Sequence, residues 1–204
     1  SFLAPGLIMM AMMQNAFANS SFSLLAGKIQ GTIIDLLMPP LSEGELMGGI
    51  VAAAVTRGIM VGCALSVAIL LYPGASLSIA SLPAIVWFAL MGATMLALFG
   101  LLTSIWAEKF DHNAAISTLI VAPLALLSGT FYTIDRLSGM FELISRFNPF
   151  FYVISGFRYG FLGQSDIGPG TTSIVQAGIG LGVFNLVLAL VTYRILKSGW
   201  KLKD

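Results

Sequence analysis

The chain has 204 residues, of which 57% are hydrophobic and only 9% charged. A soluble domain ordinarily carries about 25% charge, so this composition excludes a protein that water alone could cover. The net charge of +1 says little by itself; where the charges sit says more, and no nucleic-acid partner is expected.

A bilayer-crossing helix needs roughly 20 mostly apolar residues. Five runs qualify, at about residues 2–25, 46–71, 82–106, 114–134 and 174–195. Only the second carries a charge well inside it, Arg57; the last meets Arg194 at its very end. In lipid each backbone polar group needs an internal partner, so each run must be helical. The expected fold class is an all-α membrane protein, with residues 1–204 as one transmembrane domain. All five lysines (Lys28, Lys109, Lys197, Lys201, Lys203) and Arg194 fall on one expected side, whereas the loop 72–81 carries no charge. The bias of Lys and Arg toward the cytoplasm then places that side, with the C-terminus, inside. Arg136, Arg146 and Arg158 are the exceptions, accompanied by Asp135, Glu142 and Asp166. Five spans with an inner C-terminus leave Ser1 outside; no signal sequence or initiator Met precedes it, so an upstream span is expected to be absent here. The lone Cys63 reads as a small buried hydrophobe.

The first span opens with Pro5-Gly6 and holds Met9, Met10, Met12 and Met13. Methionine is adaptable, and serves either as packing filler or as the lining of an apolar path. Gln14, Asn15, Asn19 and the serines at 20, 21 and 23 make the lower half polar, and polar groups in a span face other helices or a cavity. Met9, Met13, Asn15, Asn19 and Arg57 are therefore taken as candidates for a translocation path.

Next comes a stretch over residues 28–40. Ile29, Ile33, Leu36 and Leu37 recur at helical spacing, while Lys28, Gln30, Thr32 and Asp35 occupy the other face. Pro39-Pro40 stops it. Such a helix is too short to cross; a plain interfacial helix is one reading, but one Lys and no aromatic residue make a poor lipid anchor, which favours a cytoplasmic docking surface. Ser42-Glu-Gly-Glu45 then reads as a capping box opening the second span. Within that span, Arg57 needs a partner at a depth where charge is costly, and Gly58 and Gly62 allow close helix approach.

The third span runs from Pro83 to Trp106, an interfacial aromatic. His112, the only histidine, reads as a solvated loop residue. Asp111 or Asn113 is expected to cap the fourth span, and Pro123 to bend it. Residues 134–163 contain two short amphipathic pieces separated by Asn148-Pro149. The second, Phe150–Leu162, is too short to span. Both are expected to dip into the outer leaflet as re-entrant helices, aromatics at headgroup depth, with Asn148, Pro149, Tyr152 and Arg158 as its notable residues. The last span and a basic tail follow.

No Walker A sequence, paired Cys, His-Glu-x-x-His or Gly-x-Ser-x-Gly occurs, and no intramembrane carboxylate marks an ion-coupled path. No catalytic residue and no metal site is assigned.

Taken in order, the segments Ala4–Met10, Asn15–Ser20, Gly27–Gly31, Asp35–Ser42, Arg57-Gly58, Leu127–Tyr132 and Asn148–Phe150 followed by Arg158 resemble the permease subunit of type-2 ABC exporters. The branch is the one containing nodulation-factor, capsular-polysaccharide and drug-resistance permeases. The resemblance implies six spans in the full chain and a coupling helix, here Lys28, Ile29, Ile33, Asp35, Leu36, Leu37, Pro39 and Pro40, seated on an ATPase subunit. It also implies two ATPases and two permeases per transporter, ATP and Mg bound by the partner rather than by this chain, and a bacterial cytoplasmic membrane location. The expected cargo is an amphiphilic, lipid-linked glycan or drug-like molecule moving outward. A secondary transporter or channel fragment is the alternative.

Overall fold

A computed structural model describes residues 3–33, 41–71, 78–128, 147–164, 166–168 and 171–200. Among these no strand occurs. The elements are α1 (Leu3–Gln30), α2 (Glu43–Leu70), α3 (Leu82–Trp106), α4 (Phe110–Ile116), a π-helical turn (Ser117–Val121), α5 (Ala122–Leu126), α6 (Pro149–Leu162) and α7 (Thr171–Ser198).

Three of these, α2, α3 and α7, are long and apolar enough to cross a membrane. At about 1.5 Å per residue, their 28, 25 and 28 residues exceed a hydrocarbon core of about 30 Å. α1 is also 28 residues long, but its amides and serines dilute its apolar character. Phe110–Leu126 forms a shorter apolar helix. The expected count of five is thus reached for three elements by length and apolarity together.

Local chemistry sets the boundaries. Ser42 and Glu45 form the capping box, with the Glu45 N–H donating to Ser42 Oγ at 3.3 Å and the Ser42 N–H to Glu45 Oε2 at 2.8 Å; two orphan donors of the first turn are thereby satisfied. Pro83 sits in the first turn of α3, where its missing N–H costs nothing. Asn148 caps α6 by accepting from the Phe150 N–H at 3.0 Å, and Gly163 ends it at φ +69°, the left-handed cap that glycine adopts freely.

Several expectations are corrected. α1 does not stop at residue 25 but continues through Lys28 and Ile29 to Gln30, and Gly31 then turns the chain at φ +74°. The glycine interrupts the stripe from Ile29 to Ile33, so Ile29 belongs to α1 and Ile33 to the segment beyond. Asn113 does not cap the fourth segment. It is buried, and its Nδ2 donates to Ser21 Oγ at 3.2 Å. The π turn immediately precedes Ala122-Pro123, with the Ala122 N–H reaching back five residues to the Ser117 carbonyl. Proline supplies no N–H and its ring clashes with the carbonyl four residues back; widening the turn relieves that clash. The aromatics of α6 are core rather than surface anchors: Phe150, Phe151, Phe157 and Phe161 are all buried.

The most buried spanning helix is α3, packed against α1, α2, α6 and α7. Gly58 and Gly62 of α2 meet Met12 of α1, and a Cβ at Gly58 would stand 2.9 Å from the Met12 carbonyl oxygen. Met9 and Met13 are buried against Gly92 of α3, together with Val153 of α6. The main core joins α1, α3, α6 and the start of α7. A second, smaller cluster of Leu24, Leu101, Ile105 and Leu196 lies at the other end, where α1, α3 and α7 finish and α2 begins.

Candidate cargo path and coupling end

The polar half of α1 divides its side chains between two uses. Ser20, Ser21 and Ser23 return their hydroxyls to carbonyls three or four residues back, as Thr56, Ser66, Thr103 and Thr192 do elsewhere. This is how a hydroxyl is satisfied inside an apolar helix. Asn15 likewise donates to the Ala11 carbonyl at 3.0 Å. Gln14, Ser117 and Thr118 depart from the pattern and make no side-chain hydrogen bond among the described residues.

These three groups border one cavity. Gln14, Asn15, Phe17 and Ala18 of α1 face Ser117, Thr118, Val121 and Ala122 across a space of about 350 Å³. Among the described residues no ionisable side chain lines it. The π turn presents Ser117 and Thr118 there, and Pro123 leaves one carbonyl of the preceding turn without its backbone donor. Such a space can hydrogen-bond a neutral polar moiety, and its lining offers an ion no opposite charge. Of the residues expected to line a path, Asn15 borders this cavity and Asn19 lies half-buried one turn on. Met9 and Met13 do not belong with them; both are 0–1% exposed and serve as packing. Arg57 is exposed on α2 and has no hydrogen bond or ion pair among the described residues.

At the end of the smaller cluster, Lys28 Nζ donates to the carbonyls of Ile105 (2.8 Å), Ala107 (2.9 Å) and Ser104 (3.3 Å). The last carbonyls of a helix have no intrahelical donor, and a cation there also answers the helix dipole. Lys28, expected to dock on a partner, caps α3. Ile33 packs against the smaller cluster. Asp35, Leu36, Leu37, Pro39 and Pro40 lie outside the described residues, as does the first of the two expected outer helices.

At the opposite end α6 is held from three sides. Asn148 Nδ2 donates to the Leu124 carbonyl at 2.7 Å, tying α6 to α5. Arg158, 1% exposed, pairs with Asp166 at 2.5 Å, which anchors the connection toward α7. The backbone N–H groups of Ala80 and Ser81 donate to the Gly160 carbonyl at 2.9 and 2.8 Å. Tyr152 and Pro149 border a second cavity of about 470 Å³ with Gln176 and Phe184 of α7.

Sequence reasoning passed over Ser117 and Thr118. The signal was present in Pro123, which demands an irregular turn just before it. It also passed over the stitching of α3 to α7, where Trp87 Nε1 donates to the Gly178 carbonyl at 3.3 Å and Asn185 Nδ2 to the Met91 carbonyl at 3.0 Å.

Long apolar helices packed around a buried central one define an all-helical protein of the polytopic membrane class. Comparison with known proteins gives the particular family. The ABC-2 type transporter family matches residues 1–162. The chain is 33% identical over 203 residues to the inner membrane transport permease YadH of Escherichia coli K12, covering 100% of this chain and 77% of that protein. The same figures hold for YadH of Shigella flexneri. Nodulation protein J of Rhizobium leguminosarum is 28% identical over 139 residues, 67% of this chain and 52% of that protein. The chain belongs to the ABC-2 type transporter family and is a membrane permease of an ABC transporter.

Proposed function

We infer that this permease exports an amphiphile with a neutral, hydrogen-bonding headgroup across the bacterial inner membrane, driven by ATP hydrolysis in a partner ATPase. The cavity between α1 and the π turn carries the reading. Gln14, Asn15, Ser117 and Thr118 offer donors and acceptors without charge, which suits the sugar part of a lipid-linked glycan or the polar part of a drug-like molecule. Lys28, Lys109, Arg194 and Lys197 gather at the end where α1, α3 and α7 finish. By the preference of cations for the cytoplasmic side, that end and the C-terminus face the cytoplasm.

The working unit in this reading is two permeases with two ATPases, and ATP and Mg bind the partner. This chain contributes no catalytic group. Closure of the ATPases presses the segment that follows Gly31, around Ile33, Asp35, Leu36 and Leu37, up to Pro39 and Pro40. The displacement tilts α1 and α2 and opens the path outward. Arg57, exposed on α2, faces either a second permease copy or lipid headgroups.

In inside-out membrane vesicles containing the permease and its ATPase, a fluorescent amphiphile with a neutral sugar head should accumulate only when ATP is supplied. Accumulation that persists without the ATPase, under an ion gradient, would establish a secondary transporter instead.

A further inference from the structure

Beneath the polar cavity, toward the basic end, α1 meets α4 at one pair of polar side chains and one pair of rings. Asn113 Nδ2 donates to Ser21 Oγ at 3.2 Å, the long end of the usual range. The Phe22 and Phe110 rings stand 5.8 Å apart, tilted by 35°, and both are exposed. The polar pair continues the lining of the cavity. Ser21 lies one turn on from Ala18, whose carbonyl accepts its hydroxyl at 3.2 Å, and Asn113 lies one turn before Ser117 on the same face of its helix. Ala18 and Ser117 both border the cavity, so the Asn113–Ser21 bridge is its floor. Lys28 follows Ser21 by two turns, about 10 Å along the helix.

The other flank of α1 is built differently. A Cβ at Gly100 of α3 would stand 2.5 Å from the Phe17 carbonyl oxygen, and one at Gly58 of α2 would stand 2.9 Å from that of Met12. Backbones that approach so closely interlock. Toward α4, α1 meets an open cavity and then a single long hydrogen bond beside two exposed rings. Among the described contacts of α1, the seam with α4 is the one that parts most readily.

The bridge is also incomplete. Asn113 is 3% exposed, yet its Oδ1 accepts no hydrogen bond among the described residues. A buried amide oxygen left without a donor is destabilising. Two neighbouring hydroxyls, each a donor and an acceptor, match both ends of the Asn113 amide.

We propose that the Asn113–Ser21 bridge is the inner gate of the cavity, and that Asn113 selects the headgroup that opens it. This rests on the reading of the cavity as the headgroup site of an ATP-driven exporter. One hydroxyl of a sugar head donates to Asn113 Oδ1, and its neighbour accepts from Nδ2 in place of Ser21. Ser21 keeps its bond to the Ala18 carbonyl. Every bond broken is thereby replaced, and the orphaned oxygen gains a partner. A head that carries acceptors only breaks the bridge without satisfying Oδ1, and the seam stays shut.

The test uses the permease and its ATPase in inside-out vesicles, with Cys63→Ala and Ala18→Cys in this chain so that its one thiol borders the cavity. A membrane-impermeant maleimide then reports access from the cytoplasmic face. Labelling should be slow in this parent and at least fivefold faster in Ser21→Ala. An amphiphile with a glucosyl head should also speed it in the parent, whereas the same amphiphile with its hydroxyls methylated should not. ATP-driven uptake should favour the hydroxylated head at least fivefold, and in Asn113→Leu the two should be taken up alike. Should Ser21→Ala fail to assemble, Asn113→Ala carries the labelling comparison. Equal labelling with and without the bridge overturns the proposal. So does a preference for hydroxyls that survives in Asn113→Leu, the result expected of a merely structural asparagine. Either result leaves ATP-driven uptake, and with it the transport reading, in place. Absence of ATP-driven uptake of either amphiphile by the wild type removes that reading and this proposal together.

Discussion

At the end of the bundle that holds α6, one core gathers, among the described residues, eighteen buried apolar side chains, five of them phenylalanines. At the basic end the corresponding cluster has four, Leu24, Leu101, Ile105 and Leu196, supplemented by polar fastenings from Lys28 to α3 and from Asn113 to Ser21. Close-packed aromatic interiors resist small changes of volume and transmit strain. A small cluster with hydrogen bonds at its edge has few contacts to lose when it shifts. In the proposed mechanism the end that takes up force is lightly packed and specifically tied, while the end that holds α6 is dense.

The sharpest way to break the contrast is to disturb the dense end. Gly156→Val would place side-chain atoms inside the Phe88 ring contact, and overpacking of this kind should cost about 3 kcal/mol or more. Thermal unfolding of the purified protein should show a large loss or no folded protein at all. A second change addresses the segment that follows Gly31. Replacing Leu36 and Leu37 together by Asp should reduce co-purification of the ATPase at least tenfold, about 1.4 kcal/mol, with the unfolding midpoint nearly unchanged. Retained co-purification would mean that the segment is not the docking surface.

Between the two ends lies the polar cavity. Gln14→Leu combined with Ser117→Ala removes groups that bond nothing else among the described residues, so stability should hold. Transport of the sugar-headed amphiphile should fall about fivefold, the scale of one lost hydrogen bond of about 1 kcal/mol. Equal transport would place the path elsewhere. The smallest effect is expected at the capping box. Ser42→Ala should cost about 0.5 kcal/mol, the low end for an exposed cap, measurable as a slight fall in the unfolding midpoint.

What was legible in the sequence was whatever local chemistry dictates. The Ser42–Glu45 box, the start of α3 at Pro83, its end at Trp106 and the Asn148-Pro149 opening of α6 each depend on neighbours within a few residues, and each is found. What was illegible depends on distant partners. Lys28 reads as a surface cation until the carbonyls 76 to 79 residues away are brought beneath it. Met9 and Met13 read as filler first and path second, because in a membrane both faces of a helix are apolar and periodicity no longer marks the inward one. The Ile29–Ile33 stripe misled for a different reason: the 3.6-residue repeat persists across Gly31 although the helix does not. The cavity was half visible. Asn15 was singled out for its polarity, whereas Ser117 and Thr118 gain their meaning from a turn that forms because of Pro123.

The widened turn carries a genetic consequence. A π turn closes over one more residue than an α turn, so deleting a single codon between positions 117 and 121 would allow ordinary winding from Phe110 toward Pro123. Because the widened turn already absorbs that extra residue, the two flanks would keep their relative phase, and the loss would fall on the hydroxyls facing Gln14 and on the room the turn gives Pro123. The same deletion inside α1 or α3 would instead turn one flank by about 100° against the other.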